Sequence, residues 1–436
     1  SFKRHRNMED SKEHGSKRWG VVGLCFGALA MSSVIRISLG VAAPTLMKEF
    51  DISPATMGYV LSGWNWAYTA CQLIIGPVVD RFGSWIVLGM GASVWSLSTI
   101  ALPLASTALG LFLFRAVFGV GHSMLIPAQG STISKWFPSE QRSTALGFAF
   151  SGSQVGSAVG AAVCALLLAS FGWRSIFYWV GAANLVFAII WILFHPDKQI
   201  GPQIKLGPEG EAETVKRVPI FALLFGTRDK SLGVRLRNCR STWGLAFGQM
   251  GYLYAYSFYL SWLPSYLIME RNMSLQLTGI AASLPFVMGM VGTIGGGWLG
   301  DHLIRRGFKH TSARKTVVGI GMMVATVMVI TAAYTAQTWL AVTLLTLCMG
   351  SLRATTGSAN AMPLDLAPST SVASLVSIQN FGGNIGALMA PIVTGYIFAA
   401  TGSFTGALVT AGAIMMFGAF SYVFIVGKLP EETQRD

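Results

Sequence analysis

The sequence predicts an all-α membrane protein: twelve transmembrane helices in two pseudo-symmetric six-helix bundles. Three observations predict it. Of the 436 residues, 53% are hydrophobic and only 11% are charged, too little charge to cover a soluble surface of this size. Apolar runs of about twenty residues, each enough to cross ~30 Å of hydrocarbon, recur along the chain. Six runs, a basic stretch and six more runs follow one another, the organisation of two helical halves. The 50 glycines fit as well, because small residues let helices approach closely where no hydrophobic effect drives them together.

In chain order, residues 1–18 read as a polar cytoplasmic segment, and the first bundle spans 19–195 with apolar runs at 19–44, 57–79, 85–105, 108–130, 143–170 and 174–195. Residues 196–240 form a basic cytoplasmic linker carrying Pro202, Pro208 and Pro219. The second bundle spans 241–427, with runs at 241–268, 277–300, 315–335, 338–363, 371–400 and 403–427, and a tail of 428–436 follows. Placing both termini in the cytoplasm puts Lys3, Arg4, Arg6, Lys17, Arg18, Arg81, Lys135, Arg142, the basic linker, Arg305, Arg306, Lys309, Arg314 and Lys315 on that side. The outer connections then hold only Lys48, Arg174 and Arg271 among Lys and Arg. This is the positive-inside asymmetry for twelve spans, and it accounts for the net charge of +13 without nucleic acid. The first apolar run leads straight into a full span, so no cleavable signal peptide is expected. Cys25, Cys71, Cys164, Cys239 and Cys348 form no close metal-binding pair; they read as small core residues, and neither metal nor cofactor is expected.

The halves echo each other. Gly76-Pro-Val-Val-Asp80-Arg81-Phe-Gly83 follows the second run, and Gly297-Trp-Leu-Gly-Asp301-His302, then Arg305, Arg306 and Gly307, follows the eighth. The same Gly-x-x-x-Asp and basic turn at the same point of each half argues for an internal repeat. Asp80, Arg81 and Asp301 are the candidate gating residues, since an Asp here can accept bonds from a helix N-terminus or a basic side chain and latch one mouth shut. A plain cytoplasmic turn is the alternative for either copy alone.

These residues resemble the major facilitator superfamily over 19–427, as does Arg115-x-x-x-Gly119-x-Gly121 in the fourth span. Within it, the chain is similar to the anion:cation symporters, a family of sugar-acid and phthalate carriers, sialin and the vesicular glutamate transporters. The matching pieces are Trp136-Phe-Pro-Ser-Glu140-Gln-Arg142, Tyr259-Leu-Ser-Trp262-Leu-Pro264-Ser-Tyr266, Gly296-Gly-Trp298-Leu-Gly-Asp301, Asp365-Leu-Ala-Pro368 and Gly383-Asn384-Ile-Gly386 with Pro391. The resemblance implies two six-helix domains rocking about a central site, in the bacterial inner (plasma) membrane, with one chain sufficing.

Three arginines fall inside spans: Arg36, Arg115 and Arg353. No Asp or Glu lies well inside an apolar run. A lone Arg in hydrocarbon costs from ~3 kcal/mol on insertion scales to over ~10 in simulations, so each must face a cavity or a partner. An anionic cargo supplies the missing countercharge, and a guanidinium grips a carboxylate with two parallel bonds. Arg36 also matches the family's anion-binding arginine in the first helix. Arg115 either touches cargo or bonds backbone carbonyls and braces packing, and Arg353 is equally open between binding and structure. His122 departs from the relatives. Many carry Glu there and an Asp just before the first-helix Arg, where this chain has His122 and Ile35. The imidazole can carry a coupling proton, bond the cargo while neutral, or serve a carrier without proton coupling. The remaining candidate contacts are Tyr68 and Gln72 in the second helix, Ser153 or Gln154 in the fifth, Tyr252, Tyr256 and Tyr259 in the seventh, and Asn380 and Asn384 in the eleventh. Trp64 and Trp66 read as packing or lipid-facing.

These residues together predict a secondary active transporter of a small organic anion, a carboxylate or sugar acid, working by alternating access with proton symport. Anion exchange or uniport is the alternative. A transporter-like membrane sensor would need an output domain, an intramembrane enzyme would need a metal-binding pair or paired carboxylates, and a cation exporter would need buried acids. The sequence offers none of these.

Overall fold

The computed structural model describes residues 2–137, 139–194, 240–366 and 372–427; the side chains of 2–17 and of several helical residues, including Asp80, Asp301 and Asp365, lie outside the described set. Of the expected linker 196–240 only Arg240 falls within it, and the expected tail 428–436 lies wholly outside. The described chain is helical throughout. The first half comprises α1 (Phe2–Glu49), α2 (Pro54–Phe82), α3 (Ser84–Ala101), α4 (Ala108–Ser123, then Leu125–Trp136), α5 (Ser139–Phe171) and α6 (Trp173–Leu193). The second comprises α7 (Arg240–Ser261, then Leu263–Met269), α8 (Leu275–Arg305), α9 (His310–Tyr334), α10 (Thr338–Ala354, then Thr356–Leu366), α11 (Val372–Thr401) and α12 (Thr405–Phe420), which runs into a π-turn at Ser421–Ile425.

Among the described residues, ten helices are long and apolar enough to cross a membrane. Outside those ten stand α2 and α7, whose faces are diluted by Asn65, Gln72 and Gln249 and by tyrosines. Both line the boundary between the halves, where polar side chains have partners other than lipid. The protein is a multi-pass integral membrane protein.

Packing shows the repeat directly. In the first half α1 packs on α5, α2 on α4, and α3 on α6; in the second α7 packs on α11, α8 on α10, and α9 on α12. Between the halves α2 meets α11 and α5 meets α8, which is again one pairing and its repeat. The turns agree as well: Gly83 after α2 and Gly307 after α8 have φ of 86° and 90°, the region a side chain makes costly. Within each half one contact is backbone on backbone. A Cβ added at Gly152 or Gly156 would fall on the carbonyls of Phe26 and Ala30, and one at Gly382 or Gly386 on those of Ala246 and Met250. Small residues one turn apart thus seat α5 on α1 and α11 on α7.

The halves touch most closely toward the end of the bundle where α1 finishes at Glu49. There Gly40 lies against the carbonyl of Ser261 (2.6 Å from a Cβ built on it) and Gly58 against that of Pro391 (2.5 Å). Proline shapes this seam. Pro44 and Pro391 lack the N–H that would bond the carbonyls four residues earlier. Those two carbonyls are put to use: Gly40 O accepts from Ser265 Oγ at 3.2 Å, and Ala387 O accepts from Asn65 Nδ2 at 3.2 Å and Ser257 Oγ at 2.8 Å. The Ser265 and Asn65 bonds cross between the halves. At the opposite end, where Gly83 turns, the seam parts. Along the antiparallel α5–α8 pair, Gly279 packs on Ala165 and Gly289 on Gln154, whereas Gly147 and Gly295, the next opposed pair, each have nothing within 4 Å of a Cβ position. The cleft therefore opens toward the Gly83 end.

Candidate functional site

Where the closed seam gives way to the cleft, polar groups from both halves converge. Arg36, just past the middle of the membrane-spanning part of α1 (Arg18–Glu49), is half-buried and lays its guanidinium over the Trp64 ring, 4.6 Å from the centroid. Its Nε is buried without a hydrogen-bond acceptor. The Tyr68 and Tyr256 hydroxyls and the Arg353 guanidinium are its electrostatic neighbours. Trp64, Tyr68 and Gln72 fall four residues apart, so one face of α2 presents all three.

Arg353 enters from α10 in the other half. Its Nη1 donates to Tyr252 Oη at 2.6 Å, and its guanidinium lies over the Tyr256 ring, 5.5 Å from the centroid. In the amide orientation its neighbours require, the Gln154 carbonyl oxygen accepts from Arg353 Nη2 at 3.1 Å and Nε at 3.2 Å, bridging α5 and α10. The same corner of the amide lies 3.5 Å from the Tyr256 hydroxyl. Asn384 Nδ2 donates to Gln72 Oε1 at 3.0 Å, tying α11 to α2. Arg36, Trp64, Tyr68, Gln72, Gln154, Tyr252, Tyr256, Arg353 and Asn384 thus form one cluster. Among the described residues no carboxylate pairs with Arg36, Arg115 or Arg353, and no group of His, Cys, Asp and Glu has a metal-site arrangement. The chemistry on offer is recognition of negative charge and hydroxyls by donors.

Arg115 and His122 sit behind this cluster. Arg115 is 2% exposed and donates from Nη1 to the carbonyl of Ile35 at 3.3 Å, bracing the turn of α1 that carries Arg36. Its guanidinium lies over Phe118, and Phe118 in turn stacks on His122 at 5.5 Å. The His122 ring is 4% exposed, enclosed by Trp64, Tyr68, Trp95 and Phe118 at 5.3–6.3 Å between centroids, and neither ring nitrogen has a hydrogen-bond partner.

Other residues named from the sequence stand apart. Ser153 bonds Ser33 at 2.8 Å within the first half, so of the two neighbouring candidates in α5 it is Gln154 that reaches the cluster. Tyr259 points into its own half and donates to Leu345 O at 2.8 Å. Asn380, one turn from Asn384 toward the open end, is exposed. Arg81 is exposed beside Phe82, 5.5 Å from its ring; the carboxylates of Asp80 and Asp301 lie outside the described residues. Trp64, expected to pack or to face lipid, is buried against Phe118 and His122. Its position one turn before Tyr68, itself a candidate, is the signal that it shares the site face, and the structure puts it under Arg36.

Comparison with known proteins agrees with this architecture. The profile of the Major Facilitator Superfamily matches residues 24–350. The "Probable galactarate/D-glucarate transporter GudP" of Bacillus subtilis is 31% identical over 95% of this chain and 93% of its own length. The D-galactonate transporter of Escherichia coli O6:H1 is 28% identical over 95% and 97%. Among solved structures, a bacterial homologue of the human lysosomal transporter Spinster superposes with a TM-score of 0.78 at 18% identity, covering 94% of this chain and 97% of the other. With its six-plus-six packing and a polar cluster at the junction of the halves, the chain belongs to the Major Facilitator Superfamily and is a membrane transporter.

Proposed function

We propose that the protein carries a small organic acid, a sugar acid being the class its relatives suggest, by exposing the Arg36 cluster alternately to the two sides of the membrane. The observation that carries this reading is Arg36: a half-buried guanidinium in mid-span, faced by tyrosines and a second guanidinium, with no carboxylate among the described residues. A charge so placed is stabilised when a carboxylate arrives. The relatives named for galactarate, glucarate and galactonate supply the chemical class. A seam closed at one end and a cleft open at the other make the described form one end-state of such a cycle. In this scheme residues 19–195 and 241–427 are the two rocking bodies, with the Gly83 end and both termini facing the cytoplasm.

Coupling to protons through His122 is the accompanying reading. The ring has both nitrogens unengaged and touches Trp64, the ring that Arg36 lies over. A proton gained or lost there acts on the cargo's countercharge through Coulomb interaction across a dry interior. The test is uptake into proteoliposomes over a panel of hexonates, hexarates and uronates, with and without an inward proton gradient. Arg36→Ala abolishes uptake while inserting normally; undiminished transport refutes the site. His122→Gln keeps exchange but loses acceleration by the gradient. If His122→Gln still accumulates cargo, the proton travels elsewhere or the carrier is an exchanger or uniporter.

A further inference from the structure

Arg353 has donors to spare, and the bonds it makes show which ones. A guanidinium has five N–H groups in a fixed fork. Nε and Nη2 each give one to the Gln154 carbonyl, and Nη1 gives one to Tyr252. One N–H on each terminal nitrogen is left for a ligand, and the end-on edge of such a fork can hold both oxygens of a carboxylate. Tyr252 and Gln154 fix the group's plane, so this edge is pre-aimed rather than flexible. Tyr252 is itself held by Thr356 at 3.0 Å. Arg36, on the other half, has its own fork unengaged by any described residue. Tyr256 neighbours both cations: its ring is under Arg353, and it is also an electrostatic neighbour of Arg36. Two neighbouring guanidinium groups from different halves, with no acid among the described residues to offset either, suit two negative charges at the ends of a short chain.

Resting on the organic-acid reading above, we propose that Arg36 and Arg353 each hold one end of a dicarboxylic sugar acid, Arg353 being the residue that selects the second carboxylate. A monocarboxylate satisfies one guanidinium and leaves the other facing a hydroxymethyl group, which supplies no countercharge. A dicarboxylate satisfies both and, because the two arginines belong to different halves, ties α1 to α10 through the cargo itself. Gln154 and Tyr252 act as positioning residues for the Arg353 fork.

The test uses galactarate and galactonate, which differ at one terminal carbon: carboxylate in the first, hydroxymethyl in the second. Binding of each to the purified full-length protein is measured by titration calorimetry, for wild type, Arg353→Gln and Arg353→Lys. Wild type is expected to prefer galactarate by about tenfold or more, as removal of one charge-assisted pair implies. Arg353→Gln reduces that preference at least about tenfold, and Arg353→Lys, a point charge without the fork, restores part of it. Equal wild-type affinities, a preference for galactonate, or an Arg353→Gln variant that weakens both ligands by the same factor would each overturn the assignment. The wild-type comparison stands even if Arg353→Gln does not fold. Binding of galactonate alone sinks the two-ended site while leaving the organic-acid reading intact, whereas binding of neither acid sinks both.

Discussion

Arg36→Met separates the two jobs a lone intramembrane cation can have. The substitution keeps a long flexible stem against Trp64 and deletes the charge. For binding, the loss is that of a two-pronged guanidinium–carboxylate contact. Hydrogen bonds to charged groups contribute ~1.5–3 kcal/mol each, so two of them amount to about 3–6 kcal/mol. At 1.4 kcal/mol per decade, Kd rises by about two to four orders of magnitude. For the unliganded protein the sign reverses. Insertion of Arg at mid-span costs ~3 kcal/mol on the gentlest scale, and the stacking on Trp64 returns ~0.5–2 kcal/mol. Deleting the charge therefore stabilises the empty carrier by about 1–2.5 kcal/mol from the difference of those two figures. Calorimetry gives the first quantity, and thermal melting in detergent without ligand gives the second. An Arg36→Met protein that melts earlier than wild type and binds galactarate or galactonate as before would show that Arg36 is a satisfied structural group, and the anion site would have to be abandoned.

Other perturbations follow from the same geometry. Gly156→Val drives a side chain into the Ala30 carbonyl and should cost ~1–3 kcal/mol or more of stability, while Gly23→Ala, with nothing within 4 Å, should stay within ~0.5 kcal/mol, both read by melting. A double-mutant cycle on Gln72→Ala and Asn384→Ala should give a coupling of ~0.6–1.7 kcal/mol, the range for hydrogen bonds between membrane helices; a value near zero would mean the two amides do not meet. Pro391→Ala restores an N–H that competes for the Ala387 carbonyl, weakening the grip of Asn65. An impermeant thiol reagent should then label a Ser265→Cys reporter faster from the Glu49 side. Unchanged labelling would refute a role for the proline in closure.

Much of the fold was legible because lipid enforces it. Backbone groups in hydrocarbon must bond within their own helix, so run lengths read from the chain correspond to rods in the structure, and the paired Gly83 and Gly307 turns mark the repeat. The site was less legible because helical periodicity gives an azimuth and not a depth. Tyr252 and Tyr259 share a face, yet seven residues at 1.5 Å each set them about 10 Å apart along the axis. Tyr252 meets Arg353, and Tyr259 ends against Leu345 in the closed region. Depth separates Asn380 from Asn384 in the same manner. Ser153 and Gln154 are a different case: adjacent residues point about 100° apart, and only knowing which face α8 covers decides between them. Trp64 packs inside as the sequence suggests, but its contact with Arg36 was not legible because that partner comes from another helix.

The carbonyls released by Pro44 and Pro391 have a consequence for the other half of the cycle. While the Glu49 end is shut, the Ser265 hydroxyl and the Asn65 amide supply their donors across the boundary. When the halves swing apart, Ala387 O keeps Ser257 of its own half, but Gly40 O loses Ser265, and Pro44 forbids its helix from closing over that oxygen. A stranded acceptor in a dry environment costs several kcal/mol, so water must enter as the bodies part. The form open at the Glu49 end is hydrated by construction, and on the proposed scheme a cargo reaching Arg36 from that end arrives through a wetted vestibule and not by parting dry walls.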